Sequence, residues 1–112
     1  MKLYYNLYAN DSIRKDKLKI LSQIDDGKFV LNKYLLILSK NEKNHLEFFD
    51  SAYVSQKMLE KEDIFVVGLA DSYGGAVSLV EKIVNEVLTV TGGTNIRGYL
   101  LNQQMEYEKR NG

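Results

Sequence analysis

The sequence predicts an α/β fold: a small three-stranded, mostly parallel sheet with crossover helices, in the order β-α-β-α-β-α-α. Three observations predict it. Ile64 to Ala70 (IFVVGLA) and Tyr34 to Ser39 (YLLILS) are short continuous apolar runs with polar flanks, as expected of strands covered on both faces. From Ala76 the period changes. Ala76, Leu79, Val80, Ile83, Val84, Val87 and Leu88 recur at helical spacing, with Ser78, Glu81, Lys82, Asn85 and Glu86 on the opposite face. The connections from Tyr8 to Tyr34 and from Ser39 to Ile64 are long enough for right-handed helical crossovers, which makes parallel strands the expectation.

The elements follow in order. Lys2 to Tyr8 reads as a strand, with Leu3, Tyr5 and Leu7 on one face and Tyr4, Asn6 and Tyr8 on the other. Asn10, Asp11 and Ser12 are a choice of N-caps for a helix whose apolar stripe is Ile13, Leu18, Ile20, Leu21 and Ile24 and which ends near Gly27. Phe29 to Leu31 is expected to pack as a loop before the second strand. Asn44 and Glu47 have the spacing of a capping box, and Leu46, Phe49, Ala52, Tyr53, Gln56 and Leu59 trace a helical face after it. Asp50-Ser51 and Val54 mark a break there, which allows two short helices. Asp71 or Ser72 caps the helix after the third strand, and Gly92-Gly93 ends it. Thr94 or Asn95 caps a last helix running to about Lys109, with Ile96, Tyr99, Leu100, Gln103 and Tyr107 on its core face.

The 112 residues suit one domain, 1–112, with one modest core. Lys plus Arg is 15 and Asp plus Glu is 15, a balance that argues against nonspecific binding to nucleic acid. The basic run Arg14, Lys15, Lys17 and Lys19 is interrupted or flanked by acids and reads as a solvated helix face. With no cysteine there is no thiol nucleophile and no thiolate metal site, in keeping with a reducing compartment. No apolar run reaches 18 residues and the N-terminus is too polar for a signal peptide, so the expected location is cytoplasmic, with no membrane partner.

Chemistry is sought at the carboxyl ends of the strands, where an open parallel sheet binds ligands. Three loops would converge there: Asn10-Asp11-Ser12, Ser39-Lys40-Asn41, and Asp71-Ser72-Tyr73-Gly74-Gly75. The third precedes a helix N-terminus, whose free N–H groups and dipole favour an anion, and its glycines permit close backbone approach. Lys40 would supply the positive charge. The candidate ligand-binding residues are therefore Lys40, Asn41, Asp71, Ser72, Tyr73, Gly74 and Gly75. Against them, the loop lacks the pattern of a Walker A or dinucleotide motif, and Asp71 repels phosphate. The competing reading makes Asp71 or Ser72 a cap and gives the glycines to packing.

His45, the single histidine, stands at an expected helix start without a ligand set around it. No acid, base and nucleophile constellation can be assembled, so the expectation leans away from an enzyme. No motif calls for a cofactor or a metal. Thr91 to Arg97 reads as a helix–helix turn at the end of the sheet away from Asp71. Tyrosine is in excess, with eight residues, and Tyr4, Tyr8 and Tyr73 are candidates for joint exposure. Leu101 and Met105 lie off the core face of the last helix and form a candidate interface. The expected function is a non-catalytic protein-interaction or homo-oligomerising module, whose partner is itself or another protein. The alternative is a sensor of a small anionic or nucleotide-like ligand at the carboxyl-edge loops.

Overall fold

The computed structural model describes residues 1–28, 30–38, 46–55 and 64–112. Strand β1 is Lys2–Ala9, and a 3₁₀ segment, Asp11–Asp16, leads into helix α1, Lys17–Asp25. Then come β2, Tyr34–Leu38, β3, Leu46–Asp50, and a single helical turn α2, Ala52–Ser55. Strand β4 is Phe65–Ala70, followed by the long helix α3, Tyr73–Thr91, and α4, Ile96–Asn111. The α/β class stands as expected. The sheet differs: among the described residues it has four strands in the order β1-β4-β2-β3, and it is mixed.

Strands β1 and β4 are parallel neighbours, but β2 runs antiparallel to β4 and to β3. The fourth strand, β3, lies where the capping-box spacing suggested a helix. Its five residues alternate as a strand does: Leu46 and Phe48 pack with the core beneath α3, while Phe49 turns to Tyr53. Asp50-Ser51 marks the passage from β3 to α2 rather than a break between two short helices. Gln56 and Leu59, on the continuation of that helical face, lie outside the described residues, as do Phe29 and His45.

The central strand β4 is covered on both faces, as its unbroken apolar run requires. One core cluster joins Val66, Leu69, Leu35, Leu7 and Ala9 to Ile13, Leu21 and Ile24 from the 3₁₀ segment and α1. The other joins Val67, Ala70, Leu36, Leu38, Tyr4 and Tyr8 to Ala76, Leu79, Ile83 and Val87 of α3 and to Ile96 and Leu100 of α4. The alternation along β4 slips at Gly68, where both ladders shift register. A Cβ at Gly68 would stand 3.3 Å from the Tyr8 carbonyl and 3.4 Å from Leu36 Cβ, so glycine is what lets the neighbouring strands close in. In the bulged part of β1, Tyr5 N–H leaves the ladder and donates to Gln104 Oε1 of α4 at 2.8 Å.

Tyr4 and Tyr8 are buried and stacked rather than exposed, and of the three tyrosines expected together at the surface only Tyr73 is there. Leu18 also leaves its expected stripe and points to solvent, because the 3₁₀ turns before it reset the helical phase. Gly92, with φ of +74°, terminates α3 by donating to Leu88 O, and Asn95 caps α4 by accepting from Gly98 N–H.

Candidate functional site

The parallel pairing Ala9↔Leu69 brings the ends of β1 and β4 side by side, and with them two of the three expected loops. The Asn10 side chain ties them together. Its Oδ1 accepts from the Asp71 backbone N–H at 2.8 Å and its Nδ2 donates to Gly75 O at 3.2 Å. Ser12 donates its hydroxyl to one Asp71 carboxylate oxygen, and Ser72 donates to the other at 3.0 Å. Ser72 Oγ in turn accepts the Gly75 N–H at 2.9 Å, which makes Ser72 the N-cap of α3. Asp71 is held below the usual carboxylate range, first by the Ser12 hydroxyl, then by the Ser72 hydroxyl, with smaller help from its own N–H and the Lys33 charge.

The glycines of this loop differ. A Cβ at Gly75 would fall 2.3 Å from Asp71 Oδ1 and 2.6 Å from Asn10 Oδ1, whereas one at Gly74 would meet nothing within 4 Å. The close approach that Gly75 allows is therefore taken by the protein's own side chains. Both Asp71 oxygens are engaged within the loop.

The third loop does not join them. Because β2 is antiparallel to β4, its first residue Tyr34 pairs with Ala70 at this edge and its last, Leu38, lies at the far end. Lys40 and Asn41 lie outside the described residues, beyond that far end in sequence. The lysine whose charge reaches Asp71 is Lys33, just before β2. Beside it, Tyr34, Phe48 and Tyr73 form an aromatic triangle, with centroids 5.4 to 6.2 Å apart and edge-on geometry. Tyr73 is 61% exposed.

A second recess follows the outer edge of β1. It has a volume of ≈ 320 Å³ and is lined by Asn6 to Ala9, Arg14, Lys17, Lys82 and Glu86. Lys17 Nζ donates to Leu7 O at 3.2 Å and Arg14 to Ala9 O at 3.4 Å, while Arg14 also pairs with Asp11 at 2.6 Å. Glu86 Oε2 accepts the Tyr8 and Tyr99 hydroxyls at 2.6 and 2.9 Å. Burial, reinforced by this carboxylate, pushes Tyr99 up to about 12 and Tyr8 higher still. The sequence signal for the recess was slight: Arg14 and Lys17 one turn apart, and Lys82 and Glu86 one turn apart, on elements whose juxtaposition only the fold supplies.

On α4, Leu101 and Met105 are 41% and 47% exposed and one turn apart on the outer side of the helix. Among the described residues, no group of three or more His, Asp or Glu side chains is placed to hold a metal ion, and no helix is long and apolar enough to cross a membrane. The chain matches no protein-family model, no curated protein and no solved structure.

Proposed function

We propose that the protein is a non-catalytic interaction module, with its binding surface at the corner between α3 and the β3 side of the sheet. The observation that carries this reading is the exposed apolar surface there. Tyr73 stands over Phe48 and Tyr34, and Val77 and Leu88 continue the exposure along α3, with Val80 and Val84 half-buried between them. These five positions of α3 recur every three or four residues and so form a second stripe beside the buried one of Ala76, Leu79, Ile83 and Val87. Helix α4 turns away from this stripe: Gln104 reaches Tyr5, and Tyr107 stacks on it, at the opposite edge of the sheet. A contiguous apolar face of this kind marks an interaction surface more often than it marks nothing. Leu101 and Met105 form a smaller second patch on another side.

A second reading rests on the recess beside β1. Arg14, Lys17 and Lys82 outnumber Glu86 among its lining residues, which favours a small anion, and it opens next to the Asn10–Ser12 loop. It competes with a structural role for Arg14 and Lys17, which already cap β1 carbonyls. A thermal-shift panel of nucleotides and phosphorylated metabolites at two protein concentrations separates the readings. A ligand at 100 times its Kd adds about 2.7 kcal/mol, or roughly 10 °C for a domain of this size. An interaction module that binds itself gives a flat panel and a melting point that rises with protein concentration. A ligand shift lost on Lys82→Ala would overturn it in favour of the anion sensor.

A further inference from the structure

We infer that the groove along the outer edge of β1 binds a small phosphate monoester with a hydroxyl-bearing aliphatic body, of sugar-phosphate size, its phosphate held among Arg14, Lys17 and Lys82. The inference rests on the anion reading of that recess given above and gives it a ligand class.

The recess of ≈ 320 Å³ is continuous with a second one of ≈ 200 Å³, because Ala9, Arg14 and Lys82 line both. The second adds Asp11 and Ser78 to the lining. Ligand pockets run from about 300 to 1,000 Å³, so the groove suits a small ligand. Three cations meet in it from three elements: Arg14 from the 3₁₀ segment, Lys17 from the start of α1 and Lys82 from α3, which packs on the other face of the sheet. Arg14 and Lys17 hold the Ala9 and Leu7 carbonyls. A guanidinium has five donors and an ammonium three, so both keep donors for a ligand. Lys82 holds nothing: among the described residues it has no hydrogen bond or ion pair, and Glu86, one turn further along α3, does not take it up. Like charges around one recess repel. The structural role of Arg14 and Lys17 therefore gives no reason for a third cation facing them, whereas an anion does.

Ala9 adds a backbone donor. Tyr8 O faces β4, where a Cβ on Gly68 would stand 3.3 Å from it, and Ala9 O faces the other way, toward Arg14. The N–H and C=O of one strand residue leave the strand on the same side, so the Ala9 N–H also points into the groove.

The acids define the rest of the ligand. Asp11 pairs with Arg14, and Glu86 Oε2 accepts the Tyr8 and Tyr99 hydroxyls. A bare inorganic anion gains nothing from either carboxylate. The hydroxyls of a sugar or polyol can donate to both, and Ser78 offers a further partner. An ammonium on the ligand would meet cations that outnumber the acids. A nucleobase finds no ring to stack on: the one aromatic side chain among the described lining residues, Tyr8, is 8% exposed, stacked on Tyr4 and tied to Glu86.

The test is calorimetric titration and amide NMR on the full chain, with ribose 5-phosphate, ribose, inorganic phosphate and adenosine monophosphate as probes. Ribose 5-phosphate should bind saturably, shift the Ala9 and Lys82 amides, and bind at least tenfold more tightly than ribose or inorganic phosphate. Adenosine monophosphate should bind no more tightly than ribose 5-phosphate. Lys82→Ala, at an exposed helical position where alanine is favourable, should keep the melting temperature and weaken binding at least tenfold. Lys82→Arg should restore most of it, and Lys109→Ala, at the end of α4, should change nothing. Inorganic phosphate that binds as tightly as ribose 5-phosphate, with the same loss on Lys82→Ala, overturns the ligand class and leaves the anion reading standing. Tighter binding of adenosine monophosphate likewise overturns the class. Ribose 5-phosphate binding that Lys82→Ala leaves unchanged overturns the site. No binding of any probe at millimolar concentration overturns both the inference and the anion reading.

Discussion

Replacing Gly74 and, separately, Gly75 by alanine should shift stability in opposite directions, although the two are adjacent in the first turn of α3. At Gly74 an added methyl meets no atom within 4 Å. The substitution then acts through backbone entropy and helix propensity and should stabilise by about 0.5–1 kcal/mol. At Gly75 the Cβ lands on Asp71 Oδ1 and Asn10 Oδ1, at 2.3 and 2.6 Å, so both side chains must swing away. Three hydrogen bonds go with them: Asn10 to the Asp71 N–H, Asn10 to Gly75 O, and Ser72 to Asp71. At about 0.5–1 kcal/mol each for partly solvated groups, the loss is roughly 1.5–3 kcal/mol. The propensity gain of about 0.5–1 kcal/mol offsets part of it, leaving a net destabilisation of roughly 1–2 kcal/mol. Urea unfolding followed by circular dichroism resolves a difference of this size, which corresponds to melting points on either side of wild type separated by about 6–12 °C. If Gly75→Ala proves as stable as Gly74→Ala, the Asn10–Asp71 network does not fill the space above the helix start. That space would then be open to a ligand.

Asp71 is held below its ordinary value near 3.8, so its contribution is present above that pH and lost as pH falls through the lower, folded-state value. The stability advantage of wild type over Asp71→Asn should accordingly be constant from pH 7 to about 4 and shrink below it, as read by urea midpoints across that range. Gln104→Leu should cost about 1–3 kcal/mol, because it strands the Tyr5 N–H beside a buried residue, and amide exchange at Tyr5 should accelerate more than at its neighbours. Tyr4, Tyr8 and Tyr99 are all raised, chiefly by burial, and a raised tyrosine stabilises below its unfolded value near 10 and loses that contribution as pH climbs. Phenolate absorbance should show Tyr99 titrating near 12 and Tyr4 and Tyr8 staying protonated until the chain unfolds. A full complement of eight phenolates in folded protein at pH 11 would refute the burial argument.

The sequence carried most of the elements and little of their arrangement. The boundaries of α3 and α4 were legible because their signals are local: Ser72 and Asn95 cap, Gly92 stops, and the apolar period is unbroken. The central strand was legible because its apolar run is short, rich in β-branched and aromatic residues and bounded by polar ones. Strand β3 was not. Its five residues carry two phenylalanines that suit a strand, but Asn44 and Glu47 also satisfy the spacing of a capping box, and Leu46, Phe49, Ala52 and Tyr53 the spacing of a helix. The choice between them falls to β2, whose Leu35 and Leu36 are fully buried and which pairs with β3 along its whole length. That is a tertiary demand, invisible in a five-residue window.

The direction of β2 decides what the carboxyl edge can do, and local pattern cannot read it. YLLILS is as apolar forwards as backwards, and a connection long enough for a crossover does not require one. The chain instead leaves α1 at Asp25 and returns to the edge it came from, through residues 26–33, before Tyr34 pairs with Ala70. Fully extended, those eight residues reach about 26 Å, enough to run the length of a strand of this size without a second helix. Ser51 secures the return by donating its N–H to Lys33 O and its hydroxyl to Val30 O. One reversal thus takes the strand preceding Lys40 away from the Asp71 edge and brings Lys33 and Tyr34 to it. At the loop where an anion cradle is expected, Ser72 caps the helix start, and beside it stands an aromatic triangle whose Tyr73 is exposed.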